Sequence, residues 1–190
     1  MRWRPLPGGE RAMALPDAGR FEQVVLPHLD PAHNLARWLV RDASLAEDVV
    51  QDAVLRALSA FASYRGGDAR AWLLRIVRNR AYDALAARRG RDVRLDDSGP
   101  GTGDDPPALQ VPDPADDPEA ALARREGLER LDRALEVLPV ELRECLVLRE
   151  LEGLSYKEIG HVAGIPIGTV MSRLWRARQA LMSGQAEAGP

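Results

Sequence analysis

Residues 91–118, RDVRLDDSGPGTGDDPPALQVPDPADDP, constrain this chain more than any other stretch. The segment is crowded with proline, glycine and aspartate and poor in large apolar side chains, so it cannot bury enough surface to offset the entropy of ordering it. Nine acids against the single base Arg94 between residues 92 and 119 extend it further by self-repulsion. It reads as a linker and marks the domain boundary. The 190 residues therefore divide into an N-terminal arm (1–20, expected to be flexible), a first unit (21–90), the acidic linker (91–118), a second unit (119–183) and a short tail (184–190).

Both units carry helical periodicity and neither carries a strand signal. In DPAHNLARWLVRDAS, Leu35, Trp38 and Leu39 share one face. In SLAEDVVQDAVLRALSAF, Val50, Val54, Ala57 and Leu58 recur at helical spacing, and Ser44 with Glu47 reads as a capping box at the helix start. YRGGDAR breaks the pattern with Gly66 and Gly67. AWLLRIVRNRAYDALAARR resumes it through Trp72, Leu73, Ile76, Val77 and Leu85. In the second unit a helix stops at Pro139, the next runs to Gly153, and a short one opens on the capping box Ser155–Glu158 and stops at Gly164. The fold class is all-α, two small helical domains joined by a flexible acidic linker.

Catalytic, metal and cofactor chemistry find no support. The one cysteine, Cys145, lies among leucines and reads as a small buried hydrophobe. His28, His33 and His161 have no zinc-ligand spacing. The longest apolar runs fall short of a membrane span, and the first residues lack the apolar stretch of a secretory signal, which points to the cytoplasm. The net charge of −3 conceals a segregation, because residues 70–91 hold seven arginines against the single acid Asp83.

GIPIGTVMSRLWRAR, residues 164–178, completes a helix-turn-helix with the short capped helix before it. Ile167, Val170, Leu174, Ala177 and Leu181 form the stripe expected to be buried, which turns Thr169, Ser172, Arg173 and Arg176 outward with Met171 and Trp175 on the flanks. That outer surface has positive charge, hydroxyls and no acid. A helix N-terminus welcomes phosphate, and arginine reads guanine bidentately in the major groove. DNA is the surface it fits. Gly160 is out of place, since a glycine inside a helix costs about 1 kcal/mol relative to alanine; a close helix approach at that point would account for it.

The whole of LPVELRECLVLRELEGLSYKEIGHVAGIPIGTVMSRLWRARQAL resembles the promoter-binding C-terminal domain of bacterial extracytoplasmic-function (ECF) sigma factors. AEDVVQDAVLRAL and AWLLRIVRNRAYD resemble the N-terminal sigma domain, region 2, of the same group. Two motif blocks in the family's order, with a linker between them, cover residues 21–183. The resemblance implies a dissociable subunit that directs core RNA polymerase to promoters, with catalysis left to the polymerase. It assigns Glu47, Asp48, Gln51 and Asp52, a polar ridge on one helix, to the polymerase clamp. It assigns Tyr64, Arg65, Gly66, Gly67, Asp68, Arg75, Arg78, Asn79 and Arg80 to reading and melting the −10 element, with Asn79 facing a flipped base. Phe61, Tyr64, Trp72 and Tyr82 are the available stacking groups, Trp72 being the one placed on the apolar stripe. It assigns Pro166, Gly168, Thr169, Met171, Ser172, Arg173, Trp175 and Arg176 to the −35 element. Met171 departs from the base frequent in the family and suits a thymine methyl instead. Arg149 and Lys157 are further candidate phosphate contacts. An anti-sigma protein is the partner the resemblance adds, and in the family the segment equivalent to the acidic linker threads near the polymerase active site.

Two other classes account for parts of the pattern. A stand-alone helix-turn-helix regulator would need the basic helix but not the acidic ridge. A helical interaction protein would leave the arginine clusters without a task.

Overall fold

The computed structural model describes residues 15–92 and 133–186, and every regular element among them is helical. The acidic segment beyond residue 92, the chain up to residue 132, residues 1–14 and the end of the tail lie outside the described residues. The first unit consists of α1 (Leu15–Val25), α2 (Leu29–Val40), α3 (Ala43–Ala60) and α4 (Ala69–Asp92), with single 3₁₀ turns before α2 and after α3. The second holds the end of a helix at 133–136, then α5 (Val140–Leu146), which widens into a π turn over Val147–Leu151, then α6 (Tyr156–Ala163) and α7 (Ile167–Ala186).

Four expectations need correction. The arm ends earlier than residue 20, because α1 begins at Leu15. Phe21 anchors that helix by an edge-on contact with the buried Phe61, their ring centroids 5.3 Å apart, and Arg20 lies over the same ring. The Ser44–Glu47 capping box does not form, because Asp42 stands two residues nearer the start and its carboxylate already accepts the Leu45 N–H at 2.9 Å. Ile167 is exposed rather than buried, because it occupies the first turn of α7, while Val170, Leu174 and Ala177 are fully buried as the stripe requires. Arg173 does not point outward; its side chain is 19% exposed and turned toward Glu144 on α5.

Other readings hold. The Ser155–Glu158 box forms in both directions, and Gly164 takes the left-handed conformation that ends α6. Gly160 faces a close approach, although to backbone rather than to another helix: a Cβ there would lie 2.9 Å from the Ile165 carbonyl oxygen. Cys145 is fully buried and its thiol is pushed up to about 11, chiefly by burial and then by the neighbouring Glu144.

The two units share one apolar core. Leu35, Leu39, Leu73, Leu74 and Val77 from the first pack in the same cluster as Leu138, Cys145, Leu148, Ile159 and Leu174 from the second. α4 lies against α6, and α2 lies against α5. Arg143 fastens the second contact, its guanidinium donating to the carbonyls of Trp38 and Leu138 at 3.0 Å each.

Candidate functional site

The polar ridge of α3 forms as the periodicity requires. Glu47, Asp48, Gln51 and Asp52 are all exposed, and Ala46, Val49, Val50 and Ala53 on the opposite face are buried. Asp52 is engaged within the chain: it accepts a hydrogen bond from Arg80 at 2.6 Å, and Arg80 also reaches Asp83 at 3.0 Å. A residue assigned to polymerase and a residue assigned to DNA thus hold each other.

The loop before α4 is shaped by its own residues. Gly66 and Gly67 both have positive φ, at 87° and 103°, where a side chain would be strained. The Tyr64 hydroxyl donates to the Gly67 carbonyl at 2.9 Å, and its ring packs against Phe61 and Trp72. Asp68 caps α4 by accepting the Ala71 N–H at 3.0 Å. Arg65 is exposed on the same loop. Of the aromatic residues, Phe61 is core, Tyr64 and Trp72 pack on it, and Tyr82 is tied to Glu144, so internal packing already occupies most of this set.

Arg75 and Asn79 are exposed on one face of α4. With Arg56 of α3, Trp72, Arg80 and His161 of α6 they line an open groove. Its walls offer guanidinium groups, an amide that both donates and accepts, and an indole, the set that a splayed single strand requires. Arg56 and His161 were not singled out from the sequence. Arg56 sits on a helix read as an apolar stripe and an acidic ridge, and His161 arrives only through the packing of α6 on α4.

Arg78 is placed differently. Its Nε donates to Glu144 Oε1 at 2.7 Å, its guanidinium lies 4.0 Å from the Tyr82 ring centroid, and the Tyr82 hydroxyl donates to Glu144 Oε2 at 3.0 Å. Arg173 approaches the same carboxylate at 3.9 Å. Glu144 is fully buried, so two cations and a phenol surround one carboxylate. Burial and the adjacent carboxylate push the Tyr82 hydroxyl above its ordinary value. Burial works against the Arg78 charge, but the Glu144 hydrogen bond and charge outweigh it and raise that group. Glu144 and Glu152 are the functional-looking residues the sequence reading missed. The only signal was a charged pair, Arg143–Glu144, set inside an apolar run.

On α7, Met171, Ser172, Trp175 and Arg176 are exposed, as are Pro166 and Gly168 at its start, and Thr169 is half-buried. Ser172 donates to the Thr169 carbonyl, as a helix-surface hydroxyl does. Lys157 is exposed on α6. Arg149 donates to the Leu154 carbonyl and lies over the Tyr156 ring, so it braces the turn into α6.

Residues 24–91 match the family model for Sigma-70 region 2, and residues 128–181 match that for Sigma-70, region 4. The chain is 38% identical over 170 residues to the RNA polymerase sigma-H factor of Pseudomonas aeruginosa, spanning 87% of this chain and 86% of that one. It is 39% identical over 137 residues to the ECF RNA polymerase sigma-E factor of Escherichia coli K12, spanning 70% of each. Among solved structures it resembles the sigma factor RpoE of Bartonella quintana, crystallised with the anti-sigma factor NepR, with a TM-score of 0.68, 30% identity, and coverage of 86% of this chain and 95% of that one. Both halves thus fall in the sigma-70 class. The chain belongs to the ECF group of RNA polymerase sigma factors and serves as an alternative sigma factor in transcription initiation. The stand-alone regulator is set aside, because regions 2 and 4 occur together on one chain.

Proposed function

We propose that the work of this sigma factor is divided among three surfaces. The α3 ridge, Glu47, Asp48, Gln51 and Asp52, docks on the clamp of core RNA polymerase. Acids cannot face a DNA backbone without repulsion, so a protein partner suits them. The loop Tyr64–Asp68 positions the −10 strand, Asn79 reads a flipped base, and Arg75, Arg78 and Arg80 take its phosphates. The exposed face of α7, with Pro166, Gly168, Thr169, Met171, Ser172, Trp175 and Arg176, enters the −35 major groove, and Arg173 anchors that helix to Glu144.

The observation that carries this division is the segregation of charge within one small fold, an acidic ridge on α3 and an open groove lined by Arg56, Arg75 and Arg80 that adjoins it at the Asp52–Arg80 pair. The chain contributes binding and strand separation, acts in the cytoplasm and performs no chemistry of its own. An anti-sigma protein is its expected partner, as the Bartonella sigma factor is found in complex with the anti-sigma factor NepR.

The test is reconstitution. The purified chain is mixed with core polymerase and a fragment library of the host genome, and transcripts that depend on it are aligned at their start sites. Two conserved upstream elements are the expected result. Asp48→Ala should abolish core binding, and Arg176→Ala should abolish use of promoters that need the upstream element. Binding of duplex DNA with no response from core polymerase would overturn the assignment.

A further inference from the structure

Ile167 stands exposed in the first turn of α7, where no burial calls for an apolar side chain. Met171 and Trp175 are exposed as well, and the three recur at intervals of four. Each follows the last by about 40° around the helix and about 6 Å along it. They form one apolar strip beside the buried stripe of Val170, Leu174 and Ala177, with Ser172, Arg176 and Arg178 at its rim. Exposed apolar surface with a polar rim marks a binding surface. The polar groups of the same helix are largely committed inside the chain. Arg173 turns toward Glu144, Arg178 donates to Glu150 at 2.7 Å, and the Ser172 hydroxyl donates to the Thr169 carbonyl. Arg176 is the α7 arginine without an ion pair among the described residues.

We propose that this sigma factor reads its upstream element chiefly by apolar contact with thymine methyl groups, and that Ile167 joins Met171 and Trp175 in setting its sequence preference. The thymine C5 methyl is the apolar group displayed in the major groove, and its position distinguishes A·T from T·A as well as from G·C. The N-terminal half of a recognition helix is the part that meets base edges, and the strip lies there. From Ile167 to Trp175 it runs about 12 Å, roughly three to four base-pair steps. Arg176 supplies a hydrogen-bonding contact, and the strip supplies discrimination at the neighbouring positions. Met182 is exposed too, but it lies in the C-terminal part of α7. The proposal deepens the assignment of α7 to the −35 element and rests on it.

The experiment uses the full chain assembled with core polymerase, and duplex promoters carrying the upstream element found from aligned start sites. Each thymine of that element is replaced in turn by uracil, which removes the methyl and leaves every hydrogen-bonding group in place. Binding is followed by competition against a fluorescent promoter. Uracil at a contacted position should weaken it about fourfold, the size of one methyl withdrawn from apolar contact. Ile167→Ala, Met171→Ala and Trp175→Ala should each make the complex indifferent to uracil at one position. All three side chains are exposed, so these truncations leave the core intact. Met182→Ala should leave every position as sensitive as before. Equal binding of thymine and uracil promoters would overturn the proposal and leave the strip to a protein partner. An upstream element built of G·C pairs alone would overturn it too, as would a uracil effect that none of the three truncations alters. Failure of the underlying assignment would look different, since no shared upstream element would then emerge from the start sites.

Discussion

Region 2 and region 4 carry the two surfaces proposed to read DNA, and the structure treats them differently. On α4 of region 2, Arg78 and Arg80 are spent on Glu144, Asp52 and Asp83. On α7 of region 4, Ile167, Met171 and Trp175 stand in solvent at 48%, 54% and 63% exposure, with Arg176 beside them. One surface is occupied by the chain itself and the other is displayed. Under the proposed division of surfaces, an upstream duplex meets a ready helix, whereas the downstream strand finds Arg75 and Asn79 free to solvent but Arg78 and Arg80 already paired.

The contrast is most severely tested by Leu174→Ala. Leu174 is fully buried where α7 meets its own region, and a leucine truncated there costs about 2–5 kcal/mol. Upstream duplex binding should disappear while core binding through α3 survives, read by denaturant titration alongside polymerase pull-down. Loss of both would mean that the regions do not fold separately.

Gly160→Ala is the next largest. The added methyl would press on the Ile165 carbonyl, so the turn that aims α7 must shift, at about 1–3 kcal/mol as for an overpacked site. Upstream promoter use should fall well before the Tm does, and core binding should stay unchanged. On the region 2 side, Asp68→Ala removes the cap of α4 and should cost about 1 kcal/mol, seen as a lower Tm and slower opening of the −10 element with upstream binding intact.

The smallest effect is a pH dependence centred on the cap of α6 in region 4. The Ser155 hydroxyl and N–H hold the Glu158 carboxyl below its ordinary value. A depressed carboxyl stabilises the folded form above its unfolded value, and that contribution is lost as pH falls through the folded one. Thermal melts below about pH 4 should therefore lose a small increment that Glu158→Gln no longer shows.

Much of this was legible because it is local. The stripe Val170, Leu174, Ala177, the Ser155–Glu158 cap and the turn at Gly164 each depend on residues within a few positions, where helical period and cap chemistry act. Asp42 displaced Ser44 as a cap because two competent residues stood two positions apart, and period alone does not rank them. The engagement of Arg78 and Arg70 was out of reach for a different reason. Glu144 lies 66 positions from Arg78, and Glu152 lies 82 from Arg70, so only the packing of the two regions brings the charges together. The acidic ridge could be read because helical period places its four residues on one exposed face, although the Asp52–Arg80 pair at its end could not.

The π turn at Val147–Leu151 carries a mechanical consequence. In an unbroken α-helix, residues eight apart point about 80° away from each other. The wider i→i+5 winding between Glu144 and Glu152 turns the second acid back toward the bearing of the first. The surplus residue acts as a gear tooth. Removing one residue from that stretch would rewind it to an ordinary helix, rotate one acid away from its arginine and leave the other meshed, converting a two-point contact into a hinge.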